Sequence, residues 1–208
     1  VILLAVKPQQ LFELTQKLAP LLNSQLIISI AAGIRVTDII RWLGGYARVV
    51  RAMPNTPSLV RSGVAGLYAA PGVGELDKKN AESILAAVGA TLWVDDEEML
   101  HTVTAISGSG PAYVFYFIES MQQAGIELGL TPAQARQLSL QTFAGASKLA
   151  SLSDEDVAVL RARVTSKGGT TEQAIQTMEE NAIQCKIIAA VHAANRRSRE
   201  LSDEFSRI

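Results

Sequence analysis

The chain has 208 residues, of which 48% are hydrophobic and 19% are charged, and its formal net charge is −1. This composition suits one larger domain or two small ones, and its balanced charge argues against nucleic-acid binding and against electrostatic attachment to a membrane. The single cysteine excludes an internal disulfide and favours a reducing cytoplasm. No apolar run reaches the roughly 18 residues that a membrane-spanning helix needs.

The first 95 residues alternate predicted strands and helices. The strands are predicted at Val1–Val6, Leu26–Ile30, Arg48–Ala52, Gly63–Ala70 and Thr91–Val94, with helical apolar spacing over 8–22, 37–43 and 76–88. This alternation predicts a mostly parallel sheet with helices on its faces. The chain starts inside an apolar strand and without methionine, so we expect natural residues before it, including the glycine-rich turn of a dinucleotide fold.

Three short segments each follow a predicted strand. They are Lys7-Pro8, Ala31-Ala32-Gly33 and Met53-Pro54-Asn55-Thr56-Pro57. Because ligands of parallel sheets bind at the carboxyl ends of the strands, all three are expected at one ligand-binding edge. The two prolines predict that the third segment is stiff and extended.

From Asp95 onward the pattern is helical. Met99–Ile106 is predicted as a helix that is interrupted at Ser107–Pro111, and further helices are predicted over 112–128, from Thr131, after a Ser153 cap, and from Ala182. The long helices carry few charges, which favours faces covered by another subunit. The alternative is that these faces close one intramolecular core.

The segment Val164–Ala174 contains two adjacent glycines, and the hydroxyl side chains of Ser166, Thr170 and Thr171 surround them. Thr170 followed by Gln173 has the form of a capping box and predicts a helix start. Free backbone N–H groups at a helix start favour a small anion, most simply a carboxylate. The alternative is a glycine turn with an ordinary helix cap.

Four motifs together resemble one enzyme family. They are Val6-Lys7-Pro8-Gln9, Met53-Pro54-Asn55-Thr56-Pro57, Ser107-Gly108-Ser109-Gly110-Pro111-Ala112-Tyr113 and Thr165-Ser166-Lys167-Gly168-Gly169-Thr170-Thr171. In this order and spacing they closely resemble pyrroline-5-carboxylate reductase, the last enzyme of proline biosynthesis.

The resemblance implies an α/β fold, a partial Rossmann-like parallel sheet, followed by an all-α dimerisation domain. Residues 1–95 are then the C-terminal portion of a dinucleotide-binding domain, and residues 96–208 form a helical dimerisation and substrate-binding domain. It also implies NADPH as cofactor, with NADH as the alternative, and a cytoplasmic homodimer that can assemble into a ring of dimers.

The resemblance further assigns roles to single residues. The substrate carboxylate is expected at Ser166, Gly168, Gly169 and Thr170, and the Thr171 hydroxyl is the expected catalytic contact to the imine nitrogen. The cofactor is expected at Val6, Lys7, Pro8, Ala31, Met53 and Asn55. No metal site is expected.

The remaining candidate residues favour structural roles. His101 and His192 lack neighbours at metal-ligand spacing, Cys185 is predicted to be buried among isoleucines, and Asp95–Glu98 is predicted to be a solvated helix start. Two other functions stay open: a nicotinamide oxidoreductase of hydroxy acids that uses Lys167, and a non-catalytic dimerisation module.

Overall fold

The computed structural model describes residues 1–207 and divides into two compact units. The first unit consists of Val1–Pro111 together with the chain from Val191 onward, and the second consists of Ala112–Ala190. The predicted domain boundary between residues 95 and 96 stays a prediction.

The first unit is built on a five-stranded sheet. Its strands are β1 (Ile2–Leu4), β2 (Ile27–Ser29), β3 (Val49–Met53), β4 (Gly63–Ala69) and β5 (Gly89–Trp93), in that spatial order. β1, β2 and β3 are parallel, β4 runs antiparallel to β3, and β5 is parallel to β4. The predicted α/β class is confirmed, and the reversal at β4 places the carboxyl ends of β4 and β5 at the opposite edge from those of β1–β3.

The helices of the first unit begin and end close to their predicted positions. They are α1 (Pro8–Leu18), α2 (Val36–Trp42), α3 (Glu75–Ala86) and α4 (Met99–Val103). Pro8 suits the first turn of α1, where its missing N–H costs nothing. Gly44 and Gly45 end α2 with φ of +68° and +93°, a region that glycine enters without a steric penalty.

Two predicted irregular segments have regular structure. The stretch Thr56–Val60 forms a 3₁₀ helix, so only the beginning of the predicted extended loop is extended, as at Asn55 with φ −129° and ψ 167°. The predicted interruption after Ile106 is instead a π-helical turn over Thr104–Gly108. Proline at the second position of a short helix is compatible with a 3₁₀ turn, which the expectation of an extended loop overlooked.

The core of the first unit lies between the sheet and its helices. Its fully buried apolar side chains include Leu11, Ile27, Ile28, Ile39 and Leu67. The end of the chain belongs to the same unit: Phe205 packs against this core, and its ring lies 3.4 Å from where a Cβ at Gly33 would be. Arg35 fixes this segment through a 2.5 Å ion pair with Asp203.

The second unit is entirely helical. α5 (Gly110–Glu127) leads into it, α6 (Pro132–Ser151), α7 (Val157–Arg163) and α8 (Thr170–Glu180) lie within it, and α9 (Ile183–Phe205) leads out of it. The capping box of Thr131 and Gln134 is confirmed. The Ser153 cap is wrong, because α7 begins after Asp156, whose carboxylate accepts a 2.7 Å hydrogen bond from the N–H of Ala158.

Few side chains of the second unit are buried. Among its residues only Ile118, Ala135 and Ser139 are buried. The predicted burial of Cys185 is wrong for the single chain: its side chain is exposed and lines a groove of about 540 Å³ with Ile183 and Ile187. Helical spacing identifies an apolar face but does not tell whether the same chain covers it. Within residues 1–207, no helix is both long and apolar enough to cross a membrane.

Candidate functional site

The predicted cofactor residues follow three adjacent parallel strands. Val6, Lys7 and Pro8 follow β1, Ala31 follows β2, and Met53 and Asn55 lie at and beyond the end of β3. Because these strands are parallel neighbours, the structure brings all six residues to one edge of the sheet. This is the edge at which parallel sheets bind their ligands.

The first turn of α1 suits an anion. Lys7 is the N-cap residue of α1, its side chain is exposed, and no side chain caps the helix. The first turn carries no acidic residue, so the partial positive charge of the helix start is reinforced by the ammonium of Lys7. A diphosphate is the kind of group that such an arrangement attracts.

Met53 and Asn55 lie against a segment far along the chain. The carboxamide of Asn55 accepts a 2.9 Å hydrogen bond from the N–H of Val64 and donates a 3.1 Å hydrogen bond to the carbonyl of Ser107. The methyl carbon of Met53 lies 2.6 Å from where a Cβ at Gly108 would be. The third strand end and the π-helical turn are therefore in direct contact.

The predicted substrate loop precedes α8 in the second unit. The helix begins at Thr170 as predicted, but its N-cap is Gly169 and no side chain caps it, so the predicted capping box of Thr170 and Gln173 is wrong. Thr170 is already the first residue of the helix, one position after the N-cap. Gly168 has φ +73°, and the N–H of Gly169 donates a 3.0 Å hydrogen bond to the carbonyl of Ser166.

A carboxylate already binds to this loop. The N–H of Gly168 donates a 2.6 Å hydrogen bond to Oε2 of Glu172, in the first turn of α8. The sequence reasoning missed Glu172. Its signal was available, because an acidic residue in a first helical turn can reach the free N–H groups that precede it.

Thr171 is half-buried in the first turn of α8. Among residues 1–207, no hydrogen bond of its hydroxyl is found, whereas the hydroxyl of Thr177 in the same helix donates to the carbonyl of Gln173 at 2.9 Å. Its hydroxyl can therefore bind a ligand without breaking a contact within the chain.

A buried ion pair joins β3 to the acidic segment that precedes α4. Arg51 is 2% exposed and donates a 2.7 Å hydrogen bond to Oε1 of Glu97, which also accepts from the N–H of Val36 at 2.7 Å. The prediction of a solvated helix start is therefore wrong for Glu97, because the acidic run supplies the counter-ion of a buried arginine. In residues 1–207, no group of three His, Cys, Asp or Glu residues could hold a metal ion.

His101 lies in the same region and is 1% exposed. Its Nδ1 lies 2.8 Å from the hydroxyl oxygen of Ser198. Burial lowers the pKa of His101, and the nearby Arg51 charge lowers it further. The lowered pKa favours the neutral imidazole, and its contact with Ser198 joins α4 to α9.

A groove of about 490 Å³ opens at the opposite edge of the sheet. It is lined by the carboxyl ends of β4 and β5, by the residues that follow them and by α3, including Tyr68, Lys78, Lys79 and Trp93. None of the predicted site residues lines it. The groove follows the reversal of β4 and is separate from the predicted cofactor edge.

Comparisons with known proteins point to one family. Residues 97–201 match the family described as pyrroline-5-carboxylate reductase dimerisation. A curated pyrroline-5-carboxylate reductase from Pseudomonas aeruginosa is 47% identical over 99% of this chain and 76% of its own length.

Two solved structures have the same fold. A pyrroline-5-carboxylate reductase from Coxiella burnetii is 45% identical, with a TM-score of 0.91 over 96% of this chain and 75% of its own. A Plasmodium falciparum pyrroline carboxylate reductase, solved with NADP bound, is 34% identical, with a TM-score of 0.89 over 97% of this chain and 81% of its own. On these likenesses, the chain belongs to the pyrroline-5-carboxylate reductase family.

Proposed function

We propose that the protein reduces 1-pyrroline-5-carboxylate to L-proline with NADPH, the last step of proline biosynthesis, and that NADH is the alternative cofactor. The observation that carries this proposal is the loop before α8, whose Gly168 N–H already binds a carboxylate, that of Glu172, at 2.6 Å. The substrate is a cyclic imine that carries a carboxylate, so this loop has the chemistry to receive it.

The cofactor is proposed to lie along the carboxyl edge of β1–β3. When bound, it would supply the hydride that adds to the C=N carbon of the substrate. Val6, Lys7 and Pro8 would contact its ribose and diphosphate, with Ala31 beside them. The fit is supported by the exposed ammonium of Lys7 at a helix start without acidic residues.

The substrate carboxylate is proposed to bind Ser166 and the N–H groups of Gly168, Gly169 and Thr170. Because the N–H of Gly168 holds Glu172, substrate binding requires the Glu172 side chain to turn away. Glu172 is exposed, so its carboxylate regains water when it leaves the loop. The exchange of one carboxylate for another keeps the charge at the helix start balanced.

Thr171 is proposed to donate a hydrogen bond to the imine nitrogen, which gains a proton as hydride arrives. A threonine hydroxyl is a weak acid, so its role is to place and orient the imine more than to release a proton outright. The half-buried position of Thr171 and its hydroxyl without a partner in residues 1–207 support this role.

The protein is proposed to act as a cytoplasmic homodimer, which can assemble further into a ring of dimers. The family description of residues 97–201 as a dimerisation region supports the homodimer. The exposed apolar side chains of the helical unit supply the surface for it. A single cysteine is compatible with the reducing cytoplasm.

The test compares Thr171→Val with Thr171→Ser in the full-length protein. The valine variant keeps the shape but loses the hydroxyl, and we expect its kcat for pyrroline-5-carboxylate to fall about 100-fold, the usual scale for losing a positioned proton donor. The serine variant keeps the hydroxyl and should retain most of the activity. Equal activity of wild type and Thr171→Val, at equal melting temperature, would contradict the role of Thr171.

A further inference from the structure

Asn55 joins two segments of the first unit that are 52 residues apart. Its Oδ1 accepts a 2.9 Å hydrogen bond from the N–H of Val64, at the start of β4, and its Nδ2 donates a 3.1 Å hydrogen bond to the carbonyl of Ser107. Both ends of the carboxamide are therefore engaged, and the side chain is half-buried. A carboxamide held at both ends has one orientation.

The carbonyl of Ser107 lacks its usual helical donor. In a regular helix it would accept from the N–H four residues later, but that residue is Pro111, which has no N–H. The turn is already widened here, since the N–H of Ser109 donates to the carbonyl of Thr104, five residues earlier, at 2.8 Å. Asn55 supplies the hydrogen bond that Pro111 cannot.

Glycines allow the two segments to approach closely on both sides of this contact. A Cβ at Gly108 would lie 2.6 Å from the methyl carbon of Met53, and a Cβ at Gly66 would lie 2.8 Å from Cγ1 of Val103. Real Cβ atoms do not approach other atoms this closely, so any larger residue at either position would force a neighbouring side chain to move. The end of β3 is thus packed against the π-helical turn, and β4 is packed against the end of α4 just before that turn.

We propose that Asn55 is a positioning residue of the reductase, a role that rests on the proposed function. Its carboxamide fixes Met53 against the π-helical turn, so that Met53 and Ser107–Gly108 present one rigid surface at the end of β3, on the edge where the cofactor is proposed to lie. Asn55 then acts through its neighbours, because its two polar atoms are already used within the chain. The π-helical turn, a rare form that is frequent at functional sites, is the element that it holds.

The test replaces the donor alone. Asn55→Asp keeps the acceptor for Val64 but turns an oxygen towards the Ser107 carbonyl, and Asn80→Asp makes the same change on the exposed face of α3 as a control. We expect kcat of Asn55→Asp to fall about 10- to 100-fold, with a smaller change in the KM for substrate, because misplacement of about 1 Å costs this much. Asn80→Asp should keep the wild-type kcat.

A second substitution tests the reason for the contact. Pro111→Ala gives residue 111 an N–H, which can serve the carbonyl of Ser107 from within the helix. The double variant Asn55→Asp/Pro111→Ala should therefore have a higher kcat than Asn55→Asp alone. If the two substitutions acted independently, their separate effects on the activation free energy would add. Purely additive losses would contradict the role of the Ser107 contact. Asn55→Ala, which lacks the repelling oxygen, replaces the aspartate variant if that variant does not fold.

Hydrogen exchange separates this proposal from the proposed function. The amides of residues 104–110 should exchange faster in Asn55→Asp than in wild type and in Asn80→Asp, whereas the amide of Val64, whose acceptor is kept, should not. Unchanged exchange would show that the hydrogen bond from Asn55 to Ser107 does not stabilise the π-helical turn. Faster exchange with an unchanged kcat would show that the turn is stabilised by this bond but does not position the catalytic site. If the wild type fails to turn over pyrroline-5-carboxylate, the proposed function fails, while exchange still decides whether Asn55 holds the turn.

Discussion

The α/β unit and the helical unit bury their apolar residues in different ways. In the first unit a continuous set of side chains, from Leu4 on β1 to Leu85 on α3, is almost inaccessible to water. In the second unit only Ile118, Ala135 and Ser139 are buried, while Phe115, Leu128 and many other large apolar side chains are exposed.

The difference shows that the two units depend on different partners. The first unit closes its own core, because helices of the same chain cover its sheet. The second unit buries few apolar side chains and exposes many large ones, a pattern that favours coverage by a second copy of the chain. The family that residues 97–201 match is likewise described as a dimerisation region.

The largest expected effect concerns the dimer. Phe115 is 64% exposed on α5, and Phe115→Glu places a charge on the proposed interface. We expect light scattering to find a monomer at micromolar concentrations, since an unpaired charge is costly to bury. As the control, Leu76→Glu on α3 of the first unit changes a leucine that is 73% exposed and should leave the dimer intact. A dimeric Phe115→Glu would contradict the contrast between the units.

The next effect concerns the buried ion pair of the first unit. Arg51→Ala leaves Glu97 without its counter-ion and should lower the free energy of unfolding by about 3–5 kcal/mol, measured by chemical denaturation. The matched control is Lys17→Ala, because the Lys17 side chain is 72% exposed and pairs with Glu13, which is 76% exposed. We expect this control variant to keep almost the same denaturation midpoint as the wild type, because exposed ion pairs contribute little to stability. Equal losses in both variants would mean that burial does not decide the strength of these pairs.

A pair of leucine truncations compares the two kinds of apolar surface. Leu67 on β4 is 0% exposed, so Leu67→Ala should cost about 2–5 kcal/mol of unfolding free energy and leave the dissociation constant of the dimer unchanged. Leu149 on α6 is 60% exposed, and Leu149→Ala should instead raise that dissociation constant. Sedimentation and denaturation of both variants measure the two quantities. The reverse pattern would refute the division between the units.

The smallest effect is a pH dependence of stability. Burial lowers the pKa of His101, so below about pH 6.5, the ordinary value, the unfolded chain binds a proton that the folded chain resists. Stability should therefore fall as the pH drops through this range. The melting temperature of His101→Gln should fall less steeply between pH 7 and 5, whereas His192→Gln, at an exposed histidine, should follow the wild type. Parallel curves for all three proteins would contradict the role of His101.

Local patterns predicted much of this molecule. Apolar runs predicted the five strands and the α/β class. The capping box at Thr131 was also predictable, because Thr131 and Gln134, which form it, lie within four consecutive residues. Short shifts made the other two cap predictions wrong: Thr170 lies one position inside α8, and α7 is capped by Asp156, three residues after Ser153. Neighbouring polar residues compete for such positions, and the sequence does not show which one is helical.

Contacts between residues that are distant in the chain could not be predicted from the sequence. The partners of Glu97 and Asn55 lie 46 and 52 residues away, so no local pattern reveals them. The exposure of Cys185 in one chain depends on what covers the helical unit, which periodicity does not encode. The roles of Ser166–Thr171 and of the cofactor edge rest on the family motifs and stay predictions.

The most direct measurement of the central claim is the conversion itself. Full-length protein, folded and dimeric, is mixed with pyrroline-5-carboxylate and NADPH, and both the oxidised cofactor and the proline formed are quantified. We predict one proline for each NADPH oxidised. No proline from a folded dimer would contradict the reductase and favour the non-catalytic dimerisation module.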